Sequence, residues 1–172
     1  MTASNEALDP RPILNIVLYQ PEIPGNTGAV GRTCVALGAK LWLVRPLGFR
    51  IDEKTVRRAG LDYWEHLDLE VADHWDDLLL RLERQGETRF WYFSRFATKS
   101  YTSIKFKRND TFVFGAETSG LPKSITEPNQ ERLLQVPTTD KVRSLNLATT
   151  VGVAGFEAAR QLNGCEIDLP GI

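Results

Sequence analysis

The chain has 172 residues, 42% of them apolar and 25% charged, which suits one globular domain with a sizeable core. Its net charge of -1 gives no bulk electrostatic sign of a nucleic-acid partner, so any such site has to be a local basic patch. Two cysteines, Cys34 and Cys165, with no C-x-x-C and no His/Cys cluster argue against a disulfide framework or structural zinc and fit a reducing cytoplasm. No apolar run approaches the ~18 residues of a membrane span, and the N-terminus lacks a signal-peptide core.

Residues 1–12 read as a polar, flexible lead-in and 13–172 as one domain. Ile13 to Tyr19 is a near-continuous apolar run, the pattern of a strand buried on both faces. Two prolines and a glycine between Gln20 and Gly25 make a loop. Asn26 is then expected to cap a helix from Thr27 to Leu37, with Gly38 as its stop. Leu41 to Val44 reads as a second strand, and Ile51 to Ala59 as a basic helix ended by Gly60. A helix opens at Asp73 and runs to about Arg84, with Trp75, Leu78, Leu79 and Leu82 on one face. Three further strands are predicted at Phe90 to Phe93, Thr111 to Phe114 and Leu133 to Val136. A helix from Leu145 to about Leu162 closes the chain. Strands alternating with helices imply an α/β fold with a mostly parallel sheet.

Three segments carry chemistry. In Gly25-Asn26-Thr27-Gly28-Ala29-Val30-Gly31-Arg32, glycines follow a buried strand, but the spacing is not G-x-G-x-x-G. The second strand also ends Leu43-Val44-Arg45, without the acid that would hold a ribose, so a dinucleotide fingerprint fails on both counts. Two readings stand: a helix start packed closely on the sheet with Arg32 solvated, or a helix N-terminus and Arg32 facing a phosphate or ribose. The second segment is Phe114-Gly115-Ala116-Glu117-Thr118-Ser119-Gly120-Leu121-Pro122. A glycine at a strand end lets a ligand approach the backbone, and Glu117 either binds a hydroxyl or caps the turn that follows. The third runs from Val136 through Asn146 into the last helix. Ser144 and Asn146 stand where caps are expected. Gly152 and Gly155 inside the helix cost about 1 kcal/mol each against alanine. They imply either tight core packing or close approach by another helix, a threaded loop or a partner subunit.

Together the three segments resemble the SPOUT superfamily of RNA methyltransferases, in its TrmH-like branch. Asn26, Gly28 and Arg32 match its first motif, Asn-x-Gly-x-x-x-Arg. Phe114, Gly115, Glu117, Gly120 and Leu121 match the second, and Val136, Pro137, Ser144, Leu145 and Asn146 the third. Asn15 to Pro24 and Arg57 to Tyr63 look like the YibK/TrmL group, the tRNA wobble-position cytidine/uridine 2'-O-methyltransferases. Where that group continues Asn-Leu-Ser-Asn, this chain reads Asn146-Leu147-Ala148-Thr149, losing a hydroxyl and an amide.

The resemblance implies a C-terminal deep trefoil knot, a homodimer without a membrane or metal requirement, and a cytoplasmic enzyme acting on the anticodon stem-loop of tRNA. It implies S-adenosylmethionine as cofactor, lined by Phe93, Gly115, Val136 and Ser144. Arg32, Asn26, Glu117, Ser144 and Asn146 become the catalytic set, with Asn26 holding Arg32 or the ribose and Glu117 fixing that arginine or the loop. The family reading makes Arg32 the base, but a guanidinium stays protonated. Arg32 is better cast as orienting the 2'-hydroxyl or stabilising the developing alkoxide. Lys54, Arg57, Arg58 and Arg143 are the RNA-binding candidates, and Lys99, Lys105, Lys107 and Arg108 form a second basic cluster. Methylation of ribosomal RNA, and a catalytically inactive RNA-binding protein, are the competing functions.

Overall fold

The computed structural model describes residues 11–50 and 63–163. The expected basic helix from Ile51 to Ala59, with Lys54, Arg57 and Arg58, lies outside the described residues, as does Cys165.

The chain runs β1 (Leu14–Tyr19), α1 (Pro24–Leu37), β2 (Lys40–Val44), β3 (Leu69–Ala72), α2 (Trp75–Arg84), β4 (Phe90–Phe93), β5 (Asp110–Phe114), α3 (Lys123–Thr126), β6 (Leu133–Leu134) and α4 (Leu147–Asn163). The strands form one six-stranded sheet in the order β3-β2-β1-β5-β4-β6. Every strand pair in it is parallel. A parallel sheet needs cover on both faces, and the strand sequences provide for that. Ile16, Leu18, Leu41, Leu43, Phe112 and Phe114 pack with Val30, Cys34 and Leu37 of α1 and Val151, Ala154 and Ala158 of α4. The alternate positions Val17, Trp42, Val44 and Val113 pack with Leu78 and Leu82 of α2 and Ile125 of α3. The period-two alternation of each strand thus feeds two separate cores.

Several element ends differ from the sequence reading. Asn26 does not cap α1: the helix begins at Pro24, with Ile23 as the residue before it and no side chain of its own capping it. Proline suits the first helical position because it has no N–H to satisfy there. The missing cap comes from a distant residue, as described below. The C-terminal stop is Gly38, as expected, in the left-handed region at φ 67°. α2 opens at Trp75 rather than Asp73, and His74 caps it by accepting from the Asp77 N–H at 3.1 Å.

The reading also missed β3. It is an edge strand, half-buried along Leu69 to Val71, and its one charged residue, Glu70, interrupts the apolar run that marks a central strand. β6 is two residues long and stops before Gln135, which makes only an isolated bridge to Ser100. α4 starts at Leu147, and Asn146 caps it: its Oδ1 accepts from the N–H groups of Ala148 at 2.8 Å and Thr149 at 3.3 Å.

Candidate functional site

The carboxyl ends of β4, β5 and β6 point the same way, and the segments leaving them surround a cavity of about 480 Å³. Open α/β sheets bind ligands at this edge. Ser94 to Phe96 follow β4, Gly115 to Leu121 follow β5, and Gln135, Val136 and the stretch Arg143 to Leu147 follow β6. Ile23 and Asn26 close the cavity from the start of α1.

The β5 loop is folded back on itself. Gly120 N–H donates to the Ala116 carbonyl at 2.8 Å, and the two residues form an antiparallel bridge. A Cβ on Gly115 would lie 2.1 Å from the Gly120 carbonyl carbon and 2.3 Å from Leu121 N, so no other residue fits there with this backbone. The fold-back turns Glu117 toward α1. Its carboxylate accepts from the N–H of Glu22 at 2.8 Å, the N–H of Ile23 at 3.3 Å and Asn26 Nδ2 at 2.9 Å. Glu22 returns the contact by accepting from the Thr118 N–H at 2.9 Å. A carboxylate here also meets the positive end of the α1 dipole, so Glu117 supplies the cap that α1 lacks in its own sequence.

From Asn26 the network continues. Asn146 Nδ2 donates to Asn26 Oδ1 at 3.0 Å, while Asn146 Oδ1 caps α4. Because the Glu117 carboxylate only accepts, Asn26 must present its amide nitrogen there and its oxygen to Asn146. The line Glu117–Asn26–Asn146 therefore joins one residue from each of the three segments and fixes two helix starts around the cavity.

The wall opposite is aromatic and apolar. Phe93 and Phe114 stack with ring centroids 4.6 Å apart, and Leu134, Val136 and Leu145 line the cavity beside them. Of the residues singled out from sequence, Asn26, Phe93, Gly115, Glu117, Val136, Arg143, Ser144 and Asn146 all reach this cavity.

Arg32 does not line it. It lies six positions beyond Asn26, which carries it about 9 Å along the helix and round to another side. There its guanidinium covers the Tyr63 ring at 4.7 Å, and the Tyr63 hydroxyl donates to the Gly28 carbonyl of the same helix. Within the chain, Asn26 bonds Glu117 and Asn146 rather than Arg32, and Glu117 bonds Asn26 and the start of α1, which leaves the alternatives of Asn26 at the ribose and Glu117 fixing its own loop. The second basic cluster is also absent from the lining, and Lys99 donates to the Glu131 carbonyl at 2.8 Å.

Sequence reasoning missed Ser94, Arg95, Phe96, Gln135, Thr138 and Thr150 as lining residues. Their signal was position: Ser94 and Gln135 directly follow strands parallel to β5. Among the described residues, no group of His, Cys, Asp and Glu side chains is placed to hold a metal ion, and no helix is long and apolar enough to cross a membrane.

Residues 13–156 match the SpoU rRNA Methylase family. The chain is 45% identical over 153 residues to a putative tRNA (cytidine(34)-2'-O)-methyltransferase of Bacillus subtilis, covering 87% of this chain and 94% of that protein. A solved structure concerned with the 2-OH methylation of C/U34 on tRNA superposes with a TM-score of 0.80 at 45% identity, covering 87% of this chain and 96% of that one. An AdoMet-bound rRNA methyltransferase from Sinorhizobium meliloti superposes at 0.73 with 26% identity, covering 86% of this chain and 56% of that one.

Proposed function

The chain belongs to the SpoU rRNA Methylase family, and on that footing we propose that it is an S-adenosylmethionine-dependent methyltransferase acting on the ribose 2'-oxygen of the wobble nucleotide, cytidine 34 or uridine 34, of tRNA. The observation that carries this reading is the cavity walled by all three motif segments and braced by Glu117–Asn26–Asn146.

The cavity fits the cofactor. Its volume falls in the roughly 300–1,000 Å³ of small-molecule sites. The Phe93, Leu134, Val136 and Leu145 side of its lining suits an adenine, and the folded loop after Gly115 offers backbone groups to a polar ligand. When bound, the cofactor supplies an electrophilic methyl on a sulfonium. That methyl would be offered to the ribose 2'-oxygen, whose proton would pass to solvent water at the open mouth of the cavity. The chain's residues contribute chiefly by holding the two reactants in line. Phe93, Gly115, Val136 and Ser144 hold the cofactor, and Asn26 and Asn146 set the two helix starts between which the ribose enters. Arg143, exposed at the mouth, meets a phosphate. Lys54, Arg57 and Arg58 extend that grip in the tRNA complex.

Arg32 acts from the other subunit of a homodimer. Its distance from its own cavity supports this, as does the face of α4 bearing Gly152, where an added Cβ would meet nothing within 4 Å, and Phe156, which is 44% exposed. Placed at the partner's cavity, the guanidinium orients the 2'-hydroxyl and stabilises the developing alkoxide without itself losing a proton. The C-terminal segment is threaded as a trefoil knot. In support, the chain leaves β6 at the sheet edge yet returns as α4 onto α1, passing the folded β5 loop where Gly115 leaves no room for a Cβ. A tRNA substrate implies a cytoplasmic setting.

The test is incubation with S-adenosylmethionine labelled in its methyl group and, in parallel, bulk tRNA or ribosomal RNA, followed by nucleoside mapping. A 2'-O-methylated pyrimidine nucleoside is expected. A methyl on a base nitrogen or carbon, or label accepted only by ribosomal RNA, overturns the reading.

A further inference from the structure

Phe96 is 76% exposed, the most exposed of the large apolar side chains among the described residues, and it lines the mouth of the cavity. Its position is held. The Phe96 N–H donates to Ser94 Oγ at 3.2 Å and the Ala97 N–H to the Ser94 carbonyl at 3.2 Å, so the turn leaving β4 is pinned at both sides of the ring. Ala97 is buried in the core and anchors the turn beneath. The guanidinium of Arg95 lies over the Phe96 ring at 4.5 Å, and Arg143 stands on the same rim. A phenyl ring presented to water, backed by one cation and flanked by another, is unfavourable for a chain alone and complementary to a flat, weakly polar group attached to a phosphodiester. A nucleobase is such a group. Sequence-specific RNA contacts commonly splay a base out of its stack and lay it on an aromatic or guanidinium plane.

We propose that Phe96, backed by Arg95, is the stacking platform for the base of the target nucleotide, holding nucleotide 34 out of the anticodon stack so that its ribose enters the cavity. The inference rests on the proposed function for the identity of the RNA. Phe96 is a positioning residue: it touches the base and acts on the reaction through the placement of the ribose. A planar platform accepts cytosine and uracil alike, because stacking reads a π-face and not a hydrogen-bonding edge.

The experiment uses an anticodon stem-loop carrying the fluorescent analogue pyrrolocytidine at position 34. Wild type, Phe96→Ala and Phe96→Tyr are compared for fluorescence on binding, KM for RNA, affinity for S-adenosylmethionine and dimerisation. Wild type should quench the analogue. Phe96→Ala should abolish the quench and raise KM for RNA about 5- to 150-fold, the range for one lost aromatic–base stack. Phe96→Tyr should restore both, with cofactor affinity and dimerisation unchanged throughout. Quenching and KM unaltered in an active Phe96→Ala enzyme overturn the inference. So does a parallel loss of cofactor affinity or of the dimer, which would make Phe96 part of the cofactor site or the interface. If wild type quenches in a Phe96-dependent way but transfers no methyl, the platform stands and the proposed reaction fails.

Discussion

Glu117 serves two backbone N–H groups and one amide at once, so its removal strands several donors together. The half-buried Asn26 amide is the costly one, at about 1–3 kcal/mol when left unpaired, whereas water can reach the exposed Glu22 and Ile23. A sharper test lies at Asn26, whose two amide atoms face partners of opposite demand. Asn26→Asp keeps the size but sets a second carboxylate against that of Glu117. It should destabilise the fold by about 1–3 kcal/mol near neutral pH and remove most activity, and Glu117→Gln in the same chain should recover part of the stability. Thermal melts of the single and double variants read this directly. Sequence located both residues through their motif. It did not show that they bond to each other across 91 positions, because a side chain that caps a distant helix leaves no periodicity behind. Cys34 offers a second residue-scale check. Burial pushes its thiol up to about 12, since desolvation disfavours the thiolate. Iodoacetamide at pH 8 should therefore leave Cys34 unmodified in the native protein and modify it in denaturant, as peptide mass mapping would report.

At the scale of elements, α4 carries two glycines with different surroundings. A Cβ on Gly155 would come within 2.7 Å of Leu37 Cδ1, so this glycine lets α4 lie close on α1. Gly152 faces open space within its own chain. Glycine there is unfavourable by about 1 kcal/mol against alanine unless something outside the chain approaches. Gly152→Leu should therefore leave the fold of a single subunit intact, by circular dichroism, while weakening the dimer at least tenfold in sedimentation. A dimer of unchanged affinity would remove α4 from the interface. The sequence foretold close approach along this helix without saying by what, and the two glycines turn out to differ. Central strands were legible because β1 and β5 are apolar on both faces. The edge strand β3 was not, because among the described residues it pairs with a strand on one side only, and it carries the charged Glu70. The start of α1 was misplaced for the reason already given: its cap comes from Glu117.

For the whole molecule, the proposed division of labour puts the cavity in one subunit and Arg32 in the other. Two inactive variants should then complement. Arg32→Ala removes the guanidinium, and Val136→Arg fills the cavity without disturbing the tight turn at Gly115. In a mixed dimer of two-fold symmetry, the open cavity of the first chain meets the intact Arg32 of the second. Co-refolding equal amounts makes about half the dimers mixed with one of two sites whole, so activity should return to about a quarter of wild type. Background activity in verified mixed dimers would assign Arg32 to its own chain. The claim underlying all of this is the identity of the atom that receives the methyl group, and chemistry at a single oxygen can be asked of a single oxygen. Two otherwise identical tRNAs, one with ribose and one with 2'-deoxyribose at nucleotide 34 only, are offered to the enzyme with labelled S-adenosylmethionine. Both should bind with similar affinity, the first should accept one methyl group per molecule, and the second should accept none. Label entering the deoxy-substituted tRNA at the same rate would contradict the account.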